Sequence, residues 1–262
     1  MSSKRVLVIS DLHSGHIVGL TPPRWQQQIT GDHRWDKFAI LQRELWQSFC
    51  NMYQSLMPID ILIVNGDMID GLGEKSGGTE LITTNRNFQV DMAVYAIKQI
   101  KAKHIIMTYG TSYHTGKNED LEDLVSEKVK AEKIGSHEWV EVNGLIFDCK
   151  HHITSSSIPH GRHTATARER LWNVLWSEYE EQPKSDIIIR SHVHYHDYCG
   201  EAGWLGMTTP SLQGMGSKFG SRQCSGHVDF GMIHFDVESN GSYSWQSHII
   251  RIPGQKVQTL KY

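Results

Sequence analysis

Five short runs rich in Val and Ile, at Arg5 to Ser10, Ile61 to Asn65, His104 to Tyr109, Leu145 to Lys150 and Asp186 to Ser191, are each followed by side chains able to hold a metal ion. The followers are Asp11 and His13, then Asp67, then His114, then His151 and His152, then His192 and His194. Runs of this length and β-branched content predict buried strands. Between them, Phe38, Leu41, Leu45, Phe49, Met52 and Leu56, and later Leu121, Leu124, Val125 and Val129, recur at helical spacing. Strands alternating with helices predict α/β layers, and open α/β sheets gather ligands in the crevice outside the carboxyl ends of their strands. Five strand ends can thus bring residues remote in sequence to one site.

After Asp197 the texture changes to short alternating runs with Gly-rich turns. Val228 to Val237 and Tyr243 to Ile252 flank Asn240-Gly241, which predicts a hairpin and, with it, a second, mostly antiparallel sheet. No repeat, low-complexity tract or long linker divides the 262 residues, a length that suits one layered domain over 1–262. The formal charge of -3 gives no global basic field for nucleic acid or anionic lipid. No apolar run reaches membrane-spanning length and Met1 to Arg5 show no signal-peptide pattern, so the expected setting is cytoplasmic with no membrane partner. Cys50, Cys149, Cys199 and Cys224 form no CxxC pair and are read as free thiols.

A mixed Asp and His set suits transition metals or zinc better than Mg²⁺ alone, because imidazole joins carboxylate oxygen among the donors. The alternation of a strand end would point Asp11 and His13 to one side, and His192 and His194 likewise. Two cations about 3.5 to 4 Å apart can clamp a phosphoryl group and lower the pKa of a water from about 15.7 towards neutrality. Asp67, after Asn65-Gly66, is the candidate bridge between them. His104, His137, His227, His234 and His248 are read as structural, and Trp25, Trp35, Trp46 and Trp204 as core. The Gly-rich stretches Gly71 to Gly78 and Gly214 to Gly226 match no nucleotide P-loop and are read as rims of the cleft. Thr154 to Arg170 is either a solvated loop and helix face or a cationic cover over the metals, in which Arg162, His163 and Arg168 grip a substrate phosphate.

The order D-x-H at Asp11 to His13, G-D-x-x-D at Gly66 to Asp70, a Gly loop with a His at Gly110 to His114, a later His at His151, and H-x-H at His192 to His194 resembles the calcineurin-like metallophosphoesterases. Each element alone is common; five in this order, each at a predicted strand end, are specific. The resemblance implies a four-layer α/β/β/α sandwich of two mixed β-sheets flanked by helices. It implies that Asp11, His13 and His194 hold one ion, that Asp67 bridges, that His151 and His192 hold the other, and that Asp70 stands behind the ligands. His151 is favoured over His152 because the family shows His-Gly there. Asp148 or Asp197 is expected to orient a ligating imidazole.

In one loop the chain departs from the family, whose Gly-Asn-His supplies an Asn ligand: here Gly110-Thr111-Ser112-Tyr113-His114 has no Asn and a displaced His. His114 is expected either to protonate the leaving oxygen or contact the phosphate, or to replace the missing ligand. The activity implied is hydrolysis of a phosphomonoester or phosphodiester with two divalent ions, Mn²⁺ first and Fe, Zn, Ni or Mg as alternatives. Rival readings are a nuclease or nucleotide phosphodiesterase, a mononuclear hydrolase, and a non-catalytic scaffold with a degraded second metal site.

Overall fold

The computed structural model describes residues 2–115, 120–215 and 228–252. Strands and helices alternate along much of the chain. In chain order they are β1 (Lys4–Ile9), α1 (His33–Leu56), β2 (Ile61–Asn65), α2 (Arg86–Gln99), β3 (His104–Thr108), α3 (Ser112–Thr115), α4 (Leu121–Val129) and β4 (Lys133–Gly135). There follow β5 (Glu138–Val142), β6 (Leu145–Cys149), α5 (Arg162–Glu178), β7 (Ile187–Arg190), β8 (Asp197–Glu201), β9 (Trp204–Thr208), β10 (Phe230–Val237) and β11 (Tyr243–Ile250).

Two mixed sheets result, one ordered β11-β10-β1-β2-β3-β4 and the other β5-β6-β7-β9-β8. Alternation along each strand decides what fills the layers. Val6 and Val8 of β1 join Ile63, Phe147, Ile187, Ile189 and Phe235 between the sheets. Leu7 and Ile9 point the other way and pack with Leu45 and Phe49 of α1 and Val90 and Ile97 of α2. On the far side α5 covers β7, β8 and β9. The layers are therefore helix, sheet, sheet, helix, the sandwich that the motif order implies.

The hairpin across Asn240-Gly241 forms, but it does not found the second sheet. β10 pairs antiparallel with β1, Lys4 opposite Val237 and Val8 opposite Ile233, and so extends the first sheet. Without it the free edge of β1 would leave a row of backbone donors and acceptors unpaired. The second sheet is mixed, since β6, β7 and β9 run parallel while β5 and β8 pair antiparallel at its edges. The five strands that the candidate site residues follow thus divide between sheets, β1, β2 and β3 in one and β6 and β7 in the other.

Trp46 packs on the core, whereas Trp35 is 55% exposed and does not belong to it. Cys50, Cys149 and Cys199 are free thiols. The readings of Cys224, His227 and most of the Gly214 to Gly226 rim fall outside the described residues. No helix among the described residues is long and apolar enough to cross a membrane.

Candidate metal centre

A chain of buried side-chain hydrogen bonds ties the ends of the two sheets together directly under the site. Thr108 donates to Asn65 Oδ1 at 2.8 Å, Asn65 Nδ2 donates to Ser191 Oγ at 2.6 Å, and the Ser191 and Ser10 hydroxyls each lie 2.7 Å from Thr209 Oγ1. These polar residues end otherwise apolar strands, and each finds a partner across the layer. The seam fixes five strand ends relative to one another. Above it the backbone turns sharply.

Nine described non-glycine residues have φ in the left-handed region, and five of them are Asp11 (52°), His13 (43°), Asp67 (52°), His192 (72°) and His194 (57°). Such conformations cost free energy in residues with a Cβ and persist where surrounding structure enforces them, often at functional sites. Strand alternation therefore does not aim Asp11 and His13, or His192 and His194; successive left-handed turns beyond the strand ends do. The turns lock together through amides, Asp11 N–H donating to the Gly66 carbonyl and His13 N–H to the Asp67 carbonyl, both at 3.0 Å. Gly66, at φ +80°, has no room for a side chain because a Cβ would strike the His151 ring.

Two groups of potential ligands converge here, Asp11, His13 and His194 in one and Asp67, His151 and His192 in the other, the donor atoms within each lying within 4.8 Å of one another. His13 Nε2 lies 3.2 Å from His194 Nε2 and 3.9 Å from both Asp11 Oδ1 and Asp67 Oδ2. Asp67 Oδ2 also lies 3.0 Å from His151 Nε2 and 4.0 Å from His192 Nδ1, so a single carboxylate oxygen faces both groups. The other oxygen, Oδ1, accepts the Thr111 amide at 2.6 Å.

Partners behind the rings decide which nitrogen is presented. His13 Nδ1 meets Asp70 Oδ1 at 2.9 Å and His151 Nδ1 meets the Asn65 carbonyl at 2.7 Å, which leaves both Nε2 atoms facing inward. Asp148 and Asp197 do not serve this purpose. Asp148 holds His137 at 2.7 Å and Arg190 at 2.6 Å, and Asp197 holds His163 at 2.9 Å. His152 is exposed and its ring packs 4.9 Å from that of His192, outside the group that His151 joins.

The charges are arranged for cations. Burial would raise the Asp67 pKa, yet His151 and the other imidazoles hold it well below the ordinary carboxylate range. Burial likewise opposes ionisation of Asp11, but His194 and His151 bring it to about 2. His151 in turn is raised to about 10, the Asp67 and Asp11 carboxylates outweighing its burial. Asp11 Oδ1 is buried, 3.2 Å from His194 Nε2, and makes no hydrogen bond of good geometry. An orphaned carboxylate oxygen among inward-facing imidazole nitrogens is a donor set that a divalent cation completes.

His114 joins neither of these two groups. It stands with His13 and Asp70, its Nδ1–H donating to the Asp70 carbonyl at 2.8 Å. Burial and the neighbouring His13 lower its pKa to about 4, so the ring is neutral at pH 7 and Nε2 carries a lone pair. Thr111, the residue after Gly110, instead places its hydroxyl beside Asp67 and His192. Arg162 stacks 4.0 Å over the ring of Tyr195, beside His194, with a buried Nε that has no hydrogen-bond partner. Arg168 is exposed and bonds Thr154 Oγ1 at 3.0 Å.

Sequence reasoning passed over Thr111 and Glu122. Glu122 is fully buried on α4, and its two oxygens accept the amides of Met68 and Gly110, each at 2.7 Å, clamping the Asp67 loop to the Thr111 loop. Its only signal was a carboxylate beside the apolar stripe of α4.

No family model and no curated protein matches the chain. Solved structures similar to it include a novel archaeal phosphodiesterase at 15% identity and TM-score 0.47, covering 93% of this chain and 99% of that one. Vps29 from Chaetomium thermophilum is similar at 10% identity and TM-score 0.46, over 95% of this chain and all (100%) of that one. A predicted phosphoesterase from Streptococcus pneumoniae is similar at 10% identity and TM-score 0.37, over 95% and 99%. The architecture, two mixed sheets flanked by helices, is consistent with the sandwich that the motif order implies, and in the order and placement of its motifs the chain resembles the calcineurin-like metallophosphoesterases.

Proposed function

We propose that the chain hydrolyses phosphate esters, monoesters or diesters, with two divalent cations, Mn²⁺ foremost. The observation that carries this reading is the sharing of Asp67 Oδ2 between two Asp/His groups, with the buried Asp11 Oδ1 left unbonded beside it. Bound cations would supply Lewis-acid stabilisation of phosphoryl charge and make a water acidic enough to ionise near neutrality. The chain's own residues do the rest. Asp70 and the Asn65 carbonyl fix the tautomers of His13 and His151, so that both rings offer Nε2.

His114 is suited to contact the phosphate or the leaving oxygen through Nε2. To act as an acid it must first take up a proton, and an anionic substrate favours that uptake. Arg162, His163 and Arg168, on one helix, are the candidate phosphate contacts. Nucleotides and nucleic acid are alternative substrates within the same chemistry.

The test is a substrate panel of aryl phosphomonoesters, linear and cyclic diesters, and single- and double-stranded DNA, assayed with Mn²⁺ and with chelator. Manganese-dependent turnover abolished by chelator is expected. Two bound ions without turnover of any member would point to a scaffold and refute the hydrolase reading.

A further inference from the structure

The hydroxyl of Thr111 lies 3.1 Å from Asp67 Oδ2, 3.1 Å from His192 Nδ1 and 3.5 Å from His151 Nε2. One oxygen therefore faces every member of the second Asp/His group. Its position is fixed from three directions. The Thr111 amide donates to Asp67 Oδ1 at 2.6 Å, the preceding Gly110 amide donates to buried Glu122 at 2.7 Å, and a Cβ at Gly110 would collide with Asp67. His114, from the same loop, is turned to Asp70 instead.

We propose that Thr111 contributes its hydroxyl oxygen to the cation held by Asp67, His151 and His192, at the place where the resemblance leads one to expect an amide. The inference rests on the dinuclear reading and specifies the chemistry of its second half. When His151 and His192 present lone pairs for coordination, all three neighbours of the Thr111 oxygen are acceptors. A hydroxyl has one proton and can satisfy only one of them. What three acceptors and a hydroxyl oxygen can share is a cation. A neutral hydroxyl is also a weaker donor to a hard ion than an amide carbonyl, so the two positions load unequally. The group of Asp11, His13 and His194 fills first, and the group containing Thr111 fills second.

Metal uptake by the full chain separates the possibilities without reference to turnover. Chelator-stripped wild type, Thr111→Ser, Thr111→Ala, Thr111→Val and Thr111→Asn are titrated with Mn²⁺ by equilibrium dialysis, and the spin-coupled signal of a manganese pair is followed by electron paramagnetic resonance. Wild type and Thr111→Ser, which keep the oxygen, should bind two ions of unequal affinity. Thr111→Ala and Thr111→Val should weaken the second ion by roughly tenfold or more while leaving the first unchanged, and should lose the coupled signal at metal concentrations that give it in wild type. Thr111→Asn should tighten the second ion. Thr111→Val preserves the β-branched shape, and agreement between Ala and Val excludes a packing artefact. Two ions bound with wild-type affinities in both Ala and Val variants would overturn the Thr111 assignment alone. A wild type that binds no ion would overturn the dinuclear reading with it.

Discussion

At the scale of single residues, the site depends on imidazoles that are aimed before any cation arrives. Asp70 touches His13 Nδ1 at 2.9 Å and is itself buried, with its pKa lowered, against burial, chiefly by His13. Asp70→Asn keeps the shape but removes the charge that polarises the ring. It should cost about 10- to 100-fold in Mn²⁺ affinity at the first position or in turnover. Manganese titration of this variant checks the prediction, and unchanged affinity and turnover would contradict it. The candidate ligands were legible in sequence because Asp11, Asp67, His151 and His192 stand within two residues of the ends of apolar runs. Thr111 and Glu122 were not. A threonine in a loop and a glutamate on a helix carry no periodic signal, and only the tertiary fold shows what they touch.

At the scale of elements, the strands that lead to the candidate ligands were readable because they are buried on both faces and so appear as unbroken Val and Ile runs, as β2 and β7 do. The sheet to which the last hairpin belongs was not readable, since pairing of β10 with β1 joins residues more than two hundred positions apart. α2 also escaped notice, although Asn85 caps it by accepting the Asn87 amide at 3.0 Å. Its apolar residues are spread around the helix instead of forming one stripe. Asp148 illustrates a structural role at a position that resembled a site: buried with Arg190, itself bound to Glu169 at 2.8 Å, it joins β6 to β7 and α5. Asp148→Ala leaves a buried guanidinium short of a partner and should lower the unfolding free energy by about 3 to 5 kcal/mol. Urea unfolding measures the loss, and Mn²⁺ stoichiometry should stay unchanged. A large loss of bound metal with normal stability would instead place Asp148 behind a ligand.

At the scale of the whole molecule, charge in the metal-free site links stability to pH. The His151 pKa is raised to about 10 by Asp67 and Asp11, so its stabilising contribution is complete below the unfolded value of about 6.5 and is lost as pH rises towards 10. The Asp11 pKa is lowered to about 2, so its contribution is present above about 3.9 and is lost as pH falls through 2. Cations require His151 in its neutral form, so binding near pH 7 should release protons and tighten as pH rises. Chelator-stripped protein should therefore unfold at lower urea at about pH 9 than at about pH 6, and added Mn²⁺ should restore more stability at the higher pH. Equal stabilisation by Mn²⁺ at both values would show that His151 is not displaced from its proton by metal.

The most direct measurement is a crystal of the manganese-loaded chain with anomalous scattering recorded at the manganese edge. Two peaks are predicted, one enclosed by Asp11, His13 and His194 and one by Asp67, His151 and His192, with Asp67 between them. No anomalous peak within reach of Asp67, or manganese held only by other residues, would contradict the account.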